Sequence, residues 1–379
     1  MSSPVLPPVC VFTHEFFPYR GGIAVYVEEA ARAAAALGYA LDVWTPENAA
    51  LRERPWPFAL HPVAMRGSQD WSDRFALARA LRPAQAQLAD SLLWLPEPGA
   101  LLTAMYLHAV RRLSFRQLVL TLHGSEILRF ARRPHRRFLF QKLLNRADRV
   151  GVVSEFNRTL LAKHFHVETE KIVVVPGALR SDFPTEIPPR PTRPADAPLV
   201  LLTVGRVHPR KGQHCVLEAL ALLPPALRAR VEYRIAGPVV QAAYQQHLEK
   251  LARDCGAVVR FLGEVPDAAL SAAYAGADIF VMTPVPHGPS LEGYGLVYLE
   301  AAAHGLPTIA HRTGGVPEAV PEGVTGLLAE PDDRPALAKA LAQLIQEPAL
   351  RTRLGEAARR RARQRTWADN VQAMFEGLG

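Results

Sequence analysis

The chain has 379 residues, 49% of them apolar and 21% charged, with a formal net charge of +8. This length exceeds one ordinary domain, and the composition can fill two apolar cores, so two soluble globular domains are expected. No apolar run approaches the ~18–20 residues that span a bilayer, and residues 1–8 lack the basic start and apolar stretch of a secretory signal. Three widely separated cysteines, Cys10, Cys215 and Cys255, argue against a disulfide framework or a zinc site and for a reducing cytoplasm.

In chain order, the apolar stretch Val9 to Thr13 reads as a strand and Ile23 to Leu37 as a helix, with Leu41 to Thr45 a second strand. That strand–loop–helix–strand unit builds parallel sheets. Its loop, Pro18-Tyr19-Arg20-Gly21-Gly22, suits either close backbone approach to an anion or sugar or a plain turn into the helix. No Gly-x-Gly-x-x-Gly is present, which counts against a dinucleotide oxidoreductase. Further strands are expected at Ser91 to Leu95, Leu118 to His123, Arg149 to Ser154 and Ile172 to Val175. His123-Gly124-Ser125-Glu126 ends the second of these strands at a carboxyl end, where a histidine can hold a sugar hydroxyl or move a proton, or serve structure alone.

Six prolines from Pro184 to Pro198 exclude a helix or central strand and mark a linker. The strand–loop–helix rhythm then resumes, with strands expected at Leu199 to Val204, Glu232 to Ala236, Val258 to Leu262, Ile279 to Thr283 and Thr308 to His311. An arginine-rich helix running to the C-terminus and including Trp367 and Phe375 closes the chain. The expected organisation is an N-terminal domain over 1–183 joined by helix 364–379 packing back on it, a linker over 184–198 and a C-terminal domain over 199–363.

Charge is unevenly placed. From Arg111 to Arg149 ten arginines and one lysine face only Glu126 and Asp148, and from Arg351 to Arg365 seven arginines face Glu356. Such runs serve as solvated helix faces, or as a surface for anionic lipid or an acidic acceptor, at about 1 kcal/mol per basic residue near an anionic membrane. Nucleic acid is the less expected partner of such runs.

The run Glu292-Gly293-Tyr294-Gly295-Leu296-Val297-Tyr298-Leu299-Glu300 carries the most functional information. Its glycines permit a sharp turn and close approach to a ligand. A helix starting near Gly295 would offer its N–H groups and dipole to phosphate, with one acceptor-only carboxylate on each side. A nucleotide sugar, with hydroxyls on both sides of a diphosphate, matches that layout. Gly205-Arg206-Val207-His208-Pro209-Arg210-Lys211-Gly212 follows a strand in the second half, where open α/β sheets bind ligands. Arg206 and Lys211 would neutralise the diphosphate without a metal. Gly314 to Glu318 reads as one more ligand loop, and Asp332-Asp333 as a helix cap rather than a metal pair.

With these residues in hand, the chain resembles the retaining glycosyltransferases of family 4. Glu292 to Glu300 matches the family's Glu-x7-Glu motif, Gly205-Arg206 with Lys211-Gly212 its diphosphate loop, and Gly21-Gly22 with Ile23 to Glu28 its N-terminal glycine loop. Phe261-Leu262-Gly263, Gly305-Leu306-Pro307 and Gly314 to Glu318 also follow the pattern. The resemblance implies an α/β GT-B fold, two Rossmann-like domains facing each other across a cleft. It implies a nucleotide-sugar donor, a hydroxyl acceptor, retention of anomeric configuration and no metal or other cofactor.

It further implies that Arg206, Lys211 and the backbone of Tyr294, Gly295 and Leu296 hold the diphosphate, Glu300 the ribose, Glu292 and His123 the sugar, and Gly21-Gly22 phosphate or acceptor. Gly177-Ala178-Leu179-Arg180 departs from the family's Asn-Gly-Val-Asp, Ala236-Gly237-Pro238 is short, and Glu126 replaces a common Asp. An epimerase or phosphorylase of GT-B architecture and a catalytically silent nucleotide-sugar-binding protein are the rival readings. Localisation in the cytoplasm, with peripheral contact at the inner membrane face through Arg111 to Arg149, is expected.

Overall fold

The computed structural model describes residues 6–19, 21–183, 194 and 197–378. The chain divides into two compact units, Met1–Ser181 with Arg365–Gly379 (unit 1) and Asp182–Gln364 (unit 2). Arg20 and most of the proline-rich segment 184–198 lie outside the described residues.

Unit 1 carries a parallel sheet in the order β3-β2-β1-β4-β5-β6-β7. Its strands are β1 (Val9–Phe12), β2 (Leu41–Pro46), β3 (Ala59–Val63), β4 (Leu92–Leu95), β5 (Gln117–Leu122), β6 (Arg149–Val152) and β7 (Ile172–Val174). The sheet of unit 2 runs β10-β9-β8-β11-β12-β13, from β8 (Leu199–Val204), β9 (Val231–Ala236), β10 (Val258–Gly263), β11 (Ile279–Met282), β12 (Thr308–His311) and β13 (Gly326–Ala329). Both orders are doubly wound. In each, the strand order reverses beside the first strand, between β1 and β4 and between β8 and β11, and that reversal leaves a crevice at the carboxyl ends. The central strands β1, β4, β11 and β12 are buried throughout, which is why they read as unbroken apolar runs.

Two strands escape the sequence pattern. The edge strand β3 is Ala-Leu-His-Pro-Val, whose proline and exposed positions hide its strand character. In unit 2 the edge strand β13 is four residues set between two turns. The expected single C-terminal helix is instead two, Pro348–Ala362 and Trp367–Phe375. Thr366 starts the second with a capping box to Asp369, so the chain leaves helix there before re-entering it. The Trp367–Phe375 helix belongs to unit 1, with Val371, Met374 and Phe375 fully buried. Trp367 donates to the Leu179 carbonyl at 2.8 Å and Asn370 to that of Pro176 at 2.7 Å. The segment that departs from the family pattern thus anchors this helix here.

No helix among the described residues is long and apolar enough to cross a membrane.

Candidate active site

In unit 2 the β8 loop is shaped by two glycines. Gly205 has φ +150°, and Gly212 has φ +72° and starts the helix Gln213–Leu222. Between them Pro209–Lys211 forms a 3-10 turn, capped by His208, whose ring accepts from the Arg210 N–H at 3.1 Å. A Cβ on Gly212 would stand 1.7 Å from the Thr283 carbonyl oxygen, so glycine alone lets this loop lie against the end of β11. The Val285 N–H donating to the Arg210 carbonyl at 2.9 Å fixes the two loops together.

The carboxyl-end crevice of unit 2 therefore receives Glu292 from one loop and two cations from the other. Lys211 Nζ lies 2.8 Å and an Arg210 terminal nitrogen 2.9 Å from the same Glu292 oxygen. All three side chains are nearly buried, at 12%, 15% and 10% exposure for Lys211, Arg210 and Glu292. Burial by itself would raise the Glu292 carboxyl; the charges of Lys211 and then Arg210 overcome it and hold the group at about 2. Burial also lowers the Lys211 ammonium, against the opposing pull of Glu292.

The Glu292 backbone is held as tightly. Its carbonyl accepts from the Gly315 N–H at 3.0 Å, and a Cβ on Gly314 would fall 2.1 Å from that oxygen. Gly295, at φ +89°, then caps the helix Leu296–Ala303, where a Cβ would reach 2.7 Å from the Tyr298 ring. The first N–H groups of that helix have no intrahelical acceptor. Glu300 lies one turn further on, half-buried, with Oε2 accepting from the Tyr274 hydroxyl at 2.8 Å.

Arg206, expected to act with Lys211, has an exposed side chain whose charge bears on the Lys211 ammonium, and Arg210 is the arginine in contact with Glu292. The sequence shows three basic residues in this loop; the 3-10 turn decides which of them points inward.

Unit 1 builds its own polar cluster at its own crevice. His14 follows β1 and Glu97 follows β4; both are fully buried, with Nδ1 and Oε1 at 3.2 Å. Glu97 caps the helix Pro98–Ala109 by accepting from the Gly99 and Ala100 N–H groups at 2.5 and 2.6 Å. Against the cost of burial, His14 and these N–H groups lower the Glu97 carboxyl. A Cβ on Gly99 would stand 2.6 Å from the His14 ring, and His14 Nε2 has no hydrogen-bond partner among the described residues. Neither residue stands out in sequence, because a lone histidine and a Pro-Glu-Pro turn are common.

His123, half-buried at the end of β5, meets the Pro96 carbonyl at 2.8 Å through Nε2. A carbonyl only accepts, so Nε2 carries a proton, and in the neutral ring Nδ1 presents a lone pair. Tyr26 lies edge-on to the ring at 5.1 Å, and the buried Glu126 accepts from the His123 and Gly124 N–H groups, which accounts for Glu126 structurally. Gly21 caps the helix Gly22–Ala36 in extended backbone, and a Cβ on Gly22 would meet nothing within 4 Å. The fold itself does not demand glycine at position 22. Asp333 accepts from the Ala336 N–H at 2.8 Å as a helix cap.

Residues 20–182 match the family model described as Glycosyltransferase Family 4, and residues 185–361 that described as Glycosyl transferases group 1. A GDP-mannose-dependent alpha-(1-6)-phosphatidylinositol monomannoside mannosyltransferase of Mycolicibacterium smegmatis is 33% identical over 277 residues, covering 70% of this chain and 69% of the relative. The chain belongs to glycosyltransferase family 4. It is a glycosyltransferase. A mannosyltransferase of the same description from Mycobacterium tuberculosis is 28% identical, with 93% of this chain and 92% of the relative covered.

Solved structures give the same GT-B fold. Sucrose-phosphate synthase from Thermosynechococcus elongatus superposes with TM-score 0.75 at 23% identity, covering 97% of this chain and 95% of that one. HepE from Anabaena, solved with UDP and glucose, gives 0.73 at 21%, covering 98% and 99%. In this family 4 chain the residues brought together within unit 2 are Lys211, Arg210 and Glu292, with Gly295 and Glu300 following along one helix.

Proposed function

We propose that this glycosyltransferase moves a sugar from a nucleotide-diphosphate sugar to an acceptor hydroxyl, with retention and without a metal. The observation that carries the reading is the Lys211–Arg210–Glu292 cluster at the crevice of unit 2, beside the start of the Leu296–Ala303 helix. Lys211 and Arg210, with Arg206 from the exposed side of the loop and the backbone of Tyr294 to Leu296, would balance charge gathering on the departing diphosphate. Glu300 would hold the ribose hydroxyls and Glu292 the transferred sugar. In unit 1, His123 Nδ1 would accept from a sugar hydroxyl, and Gly21-Gly22 would admit phosphate or acceptor.

A carboxylate held at about 2 between two cations is a weak base and a weak nucleophile. That favours front-face displacement over a covalent Glu292 intermediate. The acceptor oxygen bonds to the anomeric carbon as the carbon–phosphate oxygen bond breaks on the same face. The departing phosphate oxygen takes the acceptor's proton, leaving glycoside and nucleoside diphosphate.

Because the mycobacterial relatives are GDP-mannose-dependent, GDP-mannose is the first donor to assay, followed by UDP- and ADP-sugars, with inositol-containing acceptors in the panel. Lys211→Ala should slow nucleotide release at saturating donor by roughly 100-fold or more, the loss typical of removing one transition-state stabilising group. Unchanged turnover would overturn the reading. Loss of activity in EDTA, or an inverted anomer by NMR, would remove the corresponding clause.

The reading includes peripheral contact with anionic membrane through Arg111 to Arg149, tested by co-sedimentation with vesicles.

A further inference from the structure

We infer that Tyr274 is a positioning residue for Glu300, and that the pair makes the donor seat select ribonucleotides over deoxyribonucleotides. This rests on the assignment of Glu300 to the ribose hydroxyls. A glutamate side chain on a helix surface samples many rotamers, and fixing it costs conformational entropy. Here a second helix, Asp267–Ala275, performs that fixing from two points one turn apart, Ser271 and Tyr274. The Tyr274 hydroxyl donates to Glu300 Oε2 at 2.8 Å. Its ring is 1% exposed, stacked on His304 with centroids 5.0 Å apart and tilted against Phe280 at 6.0 Å.

His304 secures the backbone of the same glutamate. Its Nδ1 lies 2.8 Å from the Glu300 carbonyl and its Nε2 3.1 Å from the Ser271 hydroxyl. The carbonyl must accept, so Nδ1 carries the proton and Nε2 accepts from Ser271. Glu300 is therefore gripped at carbonyl and carboxylate by a single packed unit. A carboxylate has about four lone-pair sites. The phenol sets the plane of the carboxylate, which is what recognition of two neighbouring ribose hydroxyls requires. Burial, and next Glu300 itself, raise the Tyr274 phenol well above its ordinary value, so it remains a donor throughout the working pH range.

A buried tyrosine also needs a partner for its own hydroxyl, so packing alone could account for the bond. The ratio of ribo- to deoxyribonucleotide affinity separates the two roles, because a packing residue would weaken both ligands alike. Isothermal titration of the full chain with GDP, UDP and ADP, and with their 2′-deoxy and 3′-deoxy counterparts, gives that ratio without knowledge of the sugar. For the base that binds, wild type should prefer the ribonucleotide by about 10- to 100-fold, as expected for a hydrogen bond to a charged group.

Tyr274→Phe keeps the ring and should narrow the preference at least threefold, leaving deoxynucleotide affinity near wild type. His304→Phe, which keeps the stack but loses both polar contacts, should narrow it by a smaller factor and serves if the first variant does not fold. A wild-type ratio in both variants, with Glu300→Ala abolishing the preference, would overturn the inference alone. A preference that survives Glu300→Ala would overturn the ribose assignment and the inference with it.

Discussion

Glu292 illustrates how one side chain links the site to the stability of its unit. Its ordinary value of 4.5 falls to about 2 in the folded chain, because Lys211 and Arg210 outweigh burial. A depressed folded value contributes stability that is complete above about pH 4.5 and lost as pH falls toward 2. Taken alone the shift corresponds to about 3 kcal/mol. The lowered Lys211 ammonium, disfavoured by burial, works in the opposite sense at neutral pH and reduces the net gain.

Glu292→Gln should therefore lower the melting temperature at pH 7, where it leaves two nearly buried cations without their carboxylate. Its stability curve should also be flatter than wild type between pH 4.5 and 2. Parallel curves in urea unfolding across that interval would contradict the ion pair as the source of the shift. At this scale the sequence was legible in type but not in direction. Glu292 and Lys211 stood out by spacing; Arg210 did not, because the facing of three basic residues depends on a 3-10 turn that spacing does not reveal.

Among the elements, the central strands were legible because burial on both faces imposes an unbroken apolar run. The edge strands β3 and β13 were not, since a proline interrupts the first and the second is only four residues between two turns. The break before Trp367 is hidden in the sequence because Thr366 and Asp369 mark a helix start only where the arginine-rich helix has already ended. Loops at the carboxyl ends obey a stricter rule than either, since several close approaches there admit no side chain. Gly314 has φ +58°, and a Cβ would fall 2.1 Å from the Glu292 carbonyl oxygen.

Gly323 is also left-handed, at φ +71°, but a Cβ there would meet nothing within 4 Å. Gly323→Ala should cost only the backbone strain, about 1–2 kcal/mol, with turnover near wild type. Gly314→Ala carries the same strain and must also displace the Glu292 backbone, so its turnover should fall more than tenfold. Comparison of melting temperature and kcat for the two variants tests this; equal effects on kcat would mean that Glu292 placement does not limit the reaction.

For the whole molecule, the strand–loop–helix rhythm pointed to parallel sheets in two halves, and their Rossmann-like order was implied only by the family resemblance. Net charge was a blunter guide, because it does not say which arginines have structural work. Arg149 donates to the Ala373 and Glu376 carbonyls, and Arg146 to Asp148 and the Arg116 carbonyl. These two support the C-terminal helix and the β5–β6 region of unit 1. Arg132, Arg133, Arg137 and Lys142 are exposed, and Phe138, 59% exposed, has the Lys142 ammonium 4.5 Å from its ring centroid.

An exposed aromatic among basic side chains suits the headgroup region of an anionic membrane, at about 1 kcal/mol per cation. The reversal Arg132→Glu, Arg133→Glu and Arg137→Glu should abolish co-sedimentation with phosphatidylglycerol vesicles in low salt, while release of nucleotide with a soluble acceptor is retained. Wild-type binding should itself fade in about 0.5 M salt as screening shortens the reach of each charge. If the triple variant sediments as wild type does, or wild type fails to bind in low salt, the basic run is a solvated face of unit 1 and membrane contact leaves the functional reading.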